Sequence, residues 1–255
     1  MDRFRATFDD VPGWAWPFSP PVPLVGERYR PGRGLLIYAS AENLSWLHDK
    51  PTPPRFTTDD AWNRYRVSYE QAGRDSGAFF PDVGIAPVNN GGLLAAGLFV
   101  AGRLGLPAPA RPRAFLETVA VSNWCKFIVR SRTNRDYIAD VPKLTCSPPY
   151  VVSELCVLRP AAVLIPQAVW RHPILRAAMR GASPWTTFLP VPQFNAQVVN
   201  IHLAKHDRAA QALRRRLAGT PLAEWMAHLR TLREQHAWRY LAMLDAMLRP
   251  DGRPS

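Results

Sequence analysis

Short apolar runs, each closed by a polar cluster or a proline, alternate along this chain with longer segments of helical period. Gly34-Leu-Leu-Ile-Tyr38 runs into Ala39-Ser40-Ala41-Glu42-Asn43, and Thr118-Val-Ala-Val121 runs into Ser122-Asn123-Trp124-Cys125-Lys126. Leu35–Tyr38 and Val119–Val121 therefore read as two central strands with polar ends. Ala161–Ile165 is a continuous apolar run between Pro160 and Pro166, the pattern of a strand buried on both faces. Thr186–Leu189 is a further short strand. Asn89-Asn90-Gly91-Gly92 opens an apolar helix to about Arg103, closed by Gly105 and Pro107. Helices are also expected over Asp59–Ala72, with Asp59 or Asp60 as N-cap, over Pro148–Leu158 and over Gln167–Arg180. From about Ala196 the tail is helical. Thr220-Pro221 supplies an N-cap followed by a first-turn proline. Leu222, Trp225, Met226, Leu229 and Leu232 share one face, and Leu241, Leu244 and Leu248 continue an apolar stripe.

Strands alternating with helices predict an α/β fold, a three-layer α/β/α sandwich around a short, mainly parallel four-stranded sheet. Residues 1–33, rich in Pro, Trp and Arg, read as an extended arm. Residues 34–206 form the α/β domain, and 207–255 a basic helical C-terminal extension. In such a sheet ligands sit beyond the carboxyl ends of the strands. The polar ends of the first two strands thus look like one site assembled from separate parts of the chain.

Charge adds a partner class. Lys and Arg number 32 against 20 Asp and Glu, a net +12, with a pI near 10.3. That excess favours a polyanion such as nucleic acid, although only four of the basic residues are lysines and an Arg-rich composition alone inflates the count. The apolar stretches Leu93–Val100 and Val157–Ile165 fall well short of the roughly 20 residues that span a bilayer. Met1-Asp2-Arg3 leads into no apolar h-region. The three cysteines, 125, 146 and 156, form neither a CxxC pair nor an even disulfide set. The expectation is a monomeric cytoplasmic protein without a membrane partner, metal or other cofactor.

The order of pieces is also distinctive. A strand with a polar end is followed by the Asn-Gly-Gly helix start, then by a strand ending in Asn123. Next comes Cys146-Ser-Pro-Pro-Tyr150 with Glu154-Leu155 and Leu158-Arg159-Pro160-Ala-Ala-Val-Leu-Ile165. This run resembles the bacterial iron–sulfur branch of the uracil-DNA glycosylase superfamily. Val121-Ser-Asn-Trp-Cys-Lys-Phe127 is similar to the corresponding strand end of the single-strand-selective branch, and Phe194-Asn195-Ala196-Gln197 to part of that branch's late DNA-inserting loop. The resemblance spans roughly residues 34 to 205. It implies a DNA partner, single- or double-stranded, and hydrolysis of the N-glycosidic bond of a flipped deaminated or modified base.

Each candidate residue has a chemical reason and a plainer alternative. Asn123 holds the place of the family's base reader, since an amide offers a donor and an acceptor to N3–H and O4 of uracil. An Asn after a strand is otherwise a turn residue. In the family's water-positioning slot stand Ser40 and Ala41, neither suited to it. Glu42 and Asn43 follow, and a local shift would let the Glu42 carboxylate orient water; alternatively Glu42 caps a helix. The family's catalytic His on the late loop is missing from Leu189-Pro-Val-Pro-Gln-Phe-Asn195, and His202 or His206 downstream would have to substitute. His202 and His206 otherwise form a surface pair, with no third ligand to make a zinc site. Asn90 and Gly91 at a helix start suit a phosphate or base oxygen or simply a turn. Phe80, beside Phe79, would stack on a base or fill the core. Gln193, Phe194 and Asn195 would wedge into the base stack or form a connector. Arg214 and Arg215, with Arg208, Arg216, Arg130, Arg132 and Arg135, would meet phosphates or make a solvated face. The branch's cluster needs four cysteines; none precedes Cys125, and Phe127 stands at the third ligand's place, so no cluster is expected.

Overall fold

A computed structural model describes residues 14–15, 23–39, 90–124, 128–129, 148–192, 203–227 and 231–249. The expected helix 59–72 and most of the arm 1–33 lie outside them. Seven strands are described: β1 (Trp14–Ala15), β2 (Leu24–Val25), β3 (Leu35–Ala39), β4 (Val119–Asn123), β5 (Ile128–Val129), β6 (Ala162–Pro166) and β7 (Thr187–Val191). The helices are α1 (Asn90–Arg103), α2 (Pro112–Leu116), α3 (Pro148–Leu158), α4 (Gln167–Trp170), α5 (Pro173–Ala182), α6 (Asp207–Arg216), α7 (Pro221–Ala227) and α8 (Thr231–Met247). The main sheet has the order β2-β4-β3-β6-β7. Four of its strands, β4, β3, β6 and β7, are parallel, and the two-residue β2 pairs antiparallel with β4 at one edge. β1 and β5 form a separate antiparallel pair.

The expected three-layer α/β/α sandwich is present, and its cause is visible in the alternation along β3. Leu35 and Ile37 enter one core with α1, α6, α7 and α8. Leu36 and Tyr38 enter the other with α3, α4 and α5. Successive strand residues point to opposite faces, so a strand covered on both sides must be apolar at every position. β6 meets this demand with all five residues buried. α1 is buried from Leu94 through Ala101 because it lies against β3 and is also packed by α7 and α8. A helix buried on all sides has no polar stripe. At its middle, a Cβ on Gly97 would stand 2.6 Å from Ile37 Cδ1, so glycine permits the close approach of helix and strand.

Two boundaries differ from the sequence pattern. The single helix expected over 167–180 is split into α4 and α5, because Pro173 follows and holds His172 in an extended conformation. The strand expected at 186–189 runs on through Pro190 to Val191; β7 is an edge strand, where a proline is tolerated. Thr220 caps as the sequence suggests, its hydroxyl accepting from Ala223 N–H at 3.4 Å. The segment set apart as a C-terminal extension shares one core with the sheet: Trp225, Trp238, Tyr240 and Leu244 are buried beside Leu35, Ile37 and Leu164.

One acid gathers three arginines of that layer. Asp245, only 4% exposed, meets Arg103 at 3.4 Å, Arg216 at 3.2 Å and Arg249 at 3.0 Å. Burial pushes its pKa up, but bonding to Arg249 and the charges of Arg216 and Arg103 outweigh this and hold it below the ordinary carboxylate value. An acid whose folded pKa lies below the unfolded value of about 3.9 stabilises the fold above that pH, and this contribution is lost as pH falls through the folded value. Asp245→Asn should therefore lower stability near neutrality by about 1–3 kcal/mol. It should also flatten the loss of stability between about pH 4 and the acid transition in urea unfolding. An unchanged acid limb would show that Asp245 does not couple protonation to folding.

Candidate functional site

Parallel pairing sends all four carboxyl ends of β4, β3, β6 and β7 to the same edge of the sheet. The register pairs Ala39 with Asn123 and Tyr38 with Ser122. The last residue before Ser40 and the expected base reader are thus neighbours on adjacent central strands. β6 and β7 end beside one another at Pro166 and Val191. Thr118, just before β4, donates to the Pro107 carbonyl beyond α1 at 3.4 Å. The C-terminal end of α1 therefore lies at the sheet's amino edge, and Gly97 meets the middle of β3. α1 runs antiparallel to the strands, and its start at Asn90 and Gly91 is directed to the carboxyl edge. Its first turn carries no acidic residue, and the positive end of a helix attracts an anion.

Beneath this edge lies a polar cluster absent from the candidates drawn from sequence. Glu154 of α3 is buried. Its carboxyl group accepts from the Tyr38 hydroxyl at 2.7 Å and from the Ser122 hydroxyl at 3.0 Å. One helix is thereby bonded to the penultimate residues of both central strands. Burial, and then the adjacent Glu154, push the Tyr38 phenol well above its ordinary pKa, so it remains a proton donor across the working pH range. A signal for this group exists in the sequence. Val151, Glu154, Leu155 and Leu158 form the buried face of α3, and a lone acid at that spacing among aliphatic residues must find partners. Trp124, directly after Asn123, is fully buried, and its indole N–H has no acceptor among the described residues.

Of the other candidates, Glu42, Asn43, Ser40, Phe80, Gln193, Phe194, Asn195 and His202 lie outside the described residues, as do Arg130, Arg132 and Arg135. Sequence continuity alone connects them to the edge: Ser40 follows the end of β3, and Gln193 follows Pro192, whose carbonyl accepts from Tyr240 OH at 3.0 Å. Arg214 pairs with Glu234 at 3.0 Å, and Arg216 with Asp245. Arg215 and Arg208 are exposed on α6. Burial, with Lys205 adding to it, lowers the pKa of His206. No set of three or more His, Cys, Asp or Glu among the described residues is arranged to hold a metal ion. No described helix is long and apolar enough to cross a membrane.

No family model, curated protein or solved structure matches the chain. The geometry of the carboxyl edge therefore stands with the sequence resemblance as the ground for a functional reading.

The buried cluster makes a direct prediction. Tyr38→Phe and Ser122→Ala each remove a hydrogen bond to a buried carboxyl group and should cost about 1–3 kcal/mol apiece in urea unfolding. The double variant should cost less or more than the sum of the two, because both act on Glu154. Strict additivity, or changes below about 0.5 kcal/mol, would show that Glu154 does not join the two strands.

Proposed function

We propose that this chain is a divergent member of the uracil-DNA glycosylase superfamily that excises a deaminated or modified base from DNA. The observation that carries the reading is the side-by-side pairing of Ala39 and Asn123 at the carboxyl edge of a parallel sheet. It makes neighbours of the segments in which the resemblance expects water positioning and base reading. The start of α1, the buried Glu154 cluster that fixes both strand ends, and the net charge of +12 support it further.

In this reading the target nucleotide leaves the DNA helix and its base is bound at the carboxyl edge. The Asn123 amide pairs with the base's hydrogen-bonding edge, donating to a carbonyl oxygen and accepting from a ring N–H. Glu42, assisted by Asn43, orients a water molecule toward the sugar's anomeric carbon and stabilises positive charge developing there. The C–N bond breaks with its electron pair leaving on the base. Water forms the new C–O bond and loses a proton, the base takes up a proton, and the products are free base and an abasic sugar. His202 is the group proposed to steady charge on the departing base. The proposal includes a monomer acting in the cytoplasm.

A second reading rests on the altered motifs. Ser40 and Ala41 stand in the water-positioning slot and Leu189–Asn195 contains no His, which favours a protein that binds a modified base without cleaving.

Incubation with single- and double-stranded oligonucleotides carrying uracil, hypoxanthine, xanthine or hydroxymethyluracil separates the two readings. Excision predicts alkali-labile sites, reduced by about 10²-fold or more in Glu42→Gln, the scale of a positioned acid–base group, with altered base selectivity in Asn123→Asp. Tight binding without any alkali-labile site would replace excision by the reader, and neither binding nor cleavage would remove both.

A further inference from the structure

The two outer faces of the sandwich treat their arginines differently. On the α6–α8 side, Asp207 takes Arg239, Glu234 takes Arg214, and Asp245 takes Arg103, Arg216 and Arg249. On the α3–α5 side, residues 148–192 contain Arg159, Arg171, Arg176 and Arg180 and a single acid, Glu154. That acid is buried and engaged with Tyr38 and Ser122. Among the described residues none of these four arginines makes an ion pair, and at the amino edge the Gly32 N–H donates to the Arg159 carbonyl at 2.6 Å. This contact brings the turn bearing Arg30 and Arg33, both exposed, next to Arg159.

Aromatic rings are interleaved with this charge. Arg180 lies 5.2 Å from the Trp170 ring centre, and Trp170 stacks on Phe188 with centroids 4.8 Å apart. Arg159 lies 5.6 Å from the centre of Trp185, whose side chain is 55% exposed. Ile174 and Val157 are exposed nearby on α5 and α3, which pack together. Arg176 and Arg180 are one turn apart on α5, hence on one helix face. α5 starts beyond the carboxyl edge of β6 and ends where Ser183 and Thr186 meet Pro160 at the amino edge. The strip therefore follows about 15 Å of helix from the candidate site's edge to Trp185. Arg159 itself sits at φ +46°, a left-handed position after a helix end that glycine ordinarily fills. The chain keeps a guanidinium where the backbone favours glycine.

We infer that this face is a binding strip for single-stranded DNA, with arginines on successive phosphates and an unstacked base on Trp185. Guanidinium groups that meet no acid among the described residues suit a phosphate backbone, and the exposed ring of Trp185 suits a base that is not already stacked in a duplex. The inference rests on the proposed reading only for the choice of DNA over RNA, and it concerns the outer face of α3 and α5 rather than the strand ends.

Fluorescence anisotropy with a fluorescein-labelled oligo-dT strand, the matching duplex and the matching oligo-U tests it across a salt series. Arg159→Gly/Arg176→Gln/Arg180→Gln should weaken oligo-dT binding at least tenfold. It should also reduce the slope of log K against log salt by about 2, from ~0.7 per phosphate lost. Trp185→Ala should weaken binding severalfold without changing the slope. Arg159→Gly should leave the melting temperature unchanged or raised, which separates lost contacts from lost structure. Unchanged affinity and slope in the triple variant would overturn the strip, whatever the excision assay shows. Equal or tighter binding of the duplex, or of oligo-U, would overturn the choice of single-stranded DNA. Intact excision on short substrates alongside lost oligo-dT binding would support the strip as a surface separate from the strand ends.

Discussion

Glu154 places a carboxyl group inside an apolar layer, and a group of that kind is tolerated only where hydroxyl or N–H donors meet it. Its donors are Tyr38 and Ser122, register partners on the two central strands. The requirement is reciprocal, since the hydroxyls too are buried. Helix α3, strand β3 and strand β4 therefore cannot slide relative to one another by a residue without leaving polar groups unmet. A one-residue slip would also turn every strand side chain to the wrong core. The position of Asn123 beside the end of β3 follows from these two constraints. Whatever chemistry the carboxyl edge performs is built on a floor that is fixed before any ligand arrives.

Charge is organised by a different rule. The C-terminal helices add many arginines and enough acid to engage several of them, with Asp245 at the junction of α1, α6 and the end of α8. There the cations hold helices together. On the α3–α5 side Arg159 and Arg180 lie over tryptophan rings, and the arginines there meet no acid among the described residues. Among the described residues, a larger share of the arginines on that face than on the other stands without an acid. A count of basic residues along the sequence does not separate these roles, because the acids that engage Arg103 and Arg216 are remote in sequence.

The layers were legible because burial on both faces demands uninterrupted apolar strands, and Leu35–Tyr38 and Ala161–Ile165 meet that demand openly. The helix starts at Asn90 and Thr220 were legible from local capping chemistry. Pro173 divides the helix expected over 167–180: a proline stops the preceding helix through its neighbour's backbone, here His172, even where the apolar period continues. Glu154 stands on the buried stripe of α3 with Val151, Leu155 and Leu158, a spacing that marks it as a buried acid. Its partners could not be named from sequence, because the Tyr38–Ser122 register is a long-range fact. The pairing of Arg214 with Glu234 is hidden for the same reason, as Glu234 approaches it from another helix.

The proposed reaction adds a water molecule across an N-glycosidic bond at the carboxyl edge. Reaction of the purified protein with an oligonucleotide bearing a single deaminated base in ¹⁸O-labelled water measures this directly by mass spectrometry of the strand and the released base. The expected result is free base, and a strand one base lighter carrying one labelled oxygen at the abasic sugar when analysed before exchange. An intact strand recovered from a complex that binds it would contradict hydrolysis and leave recognition alone.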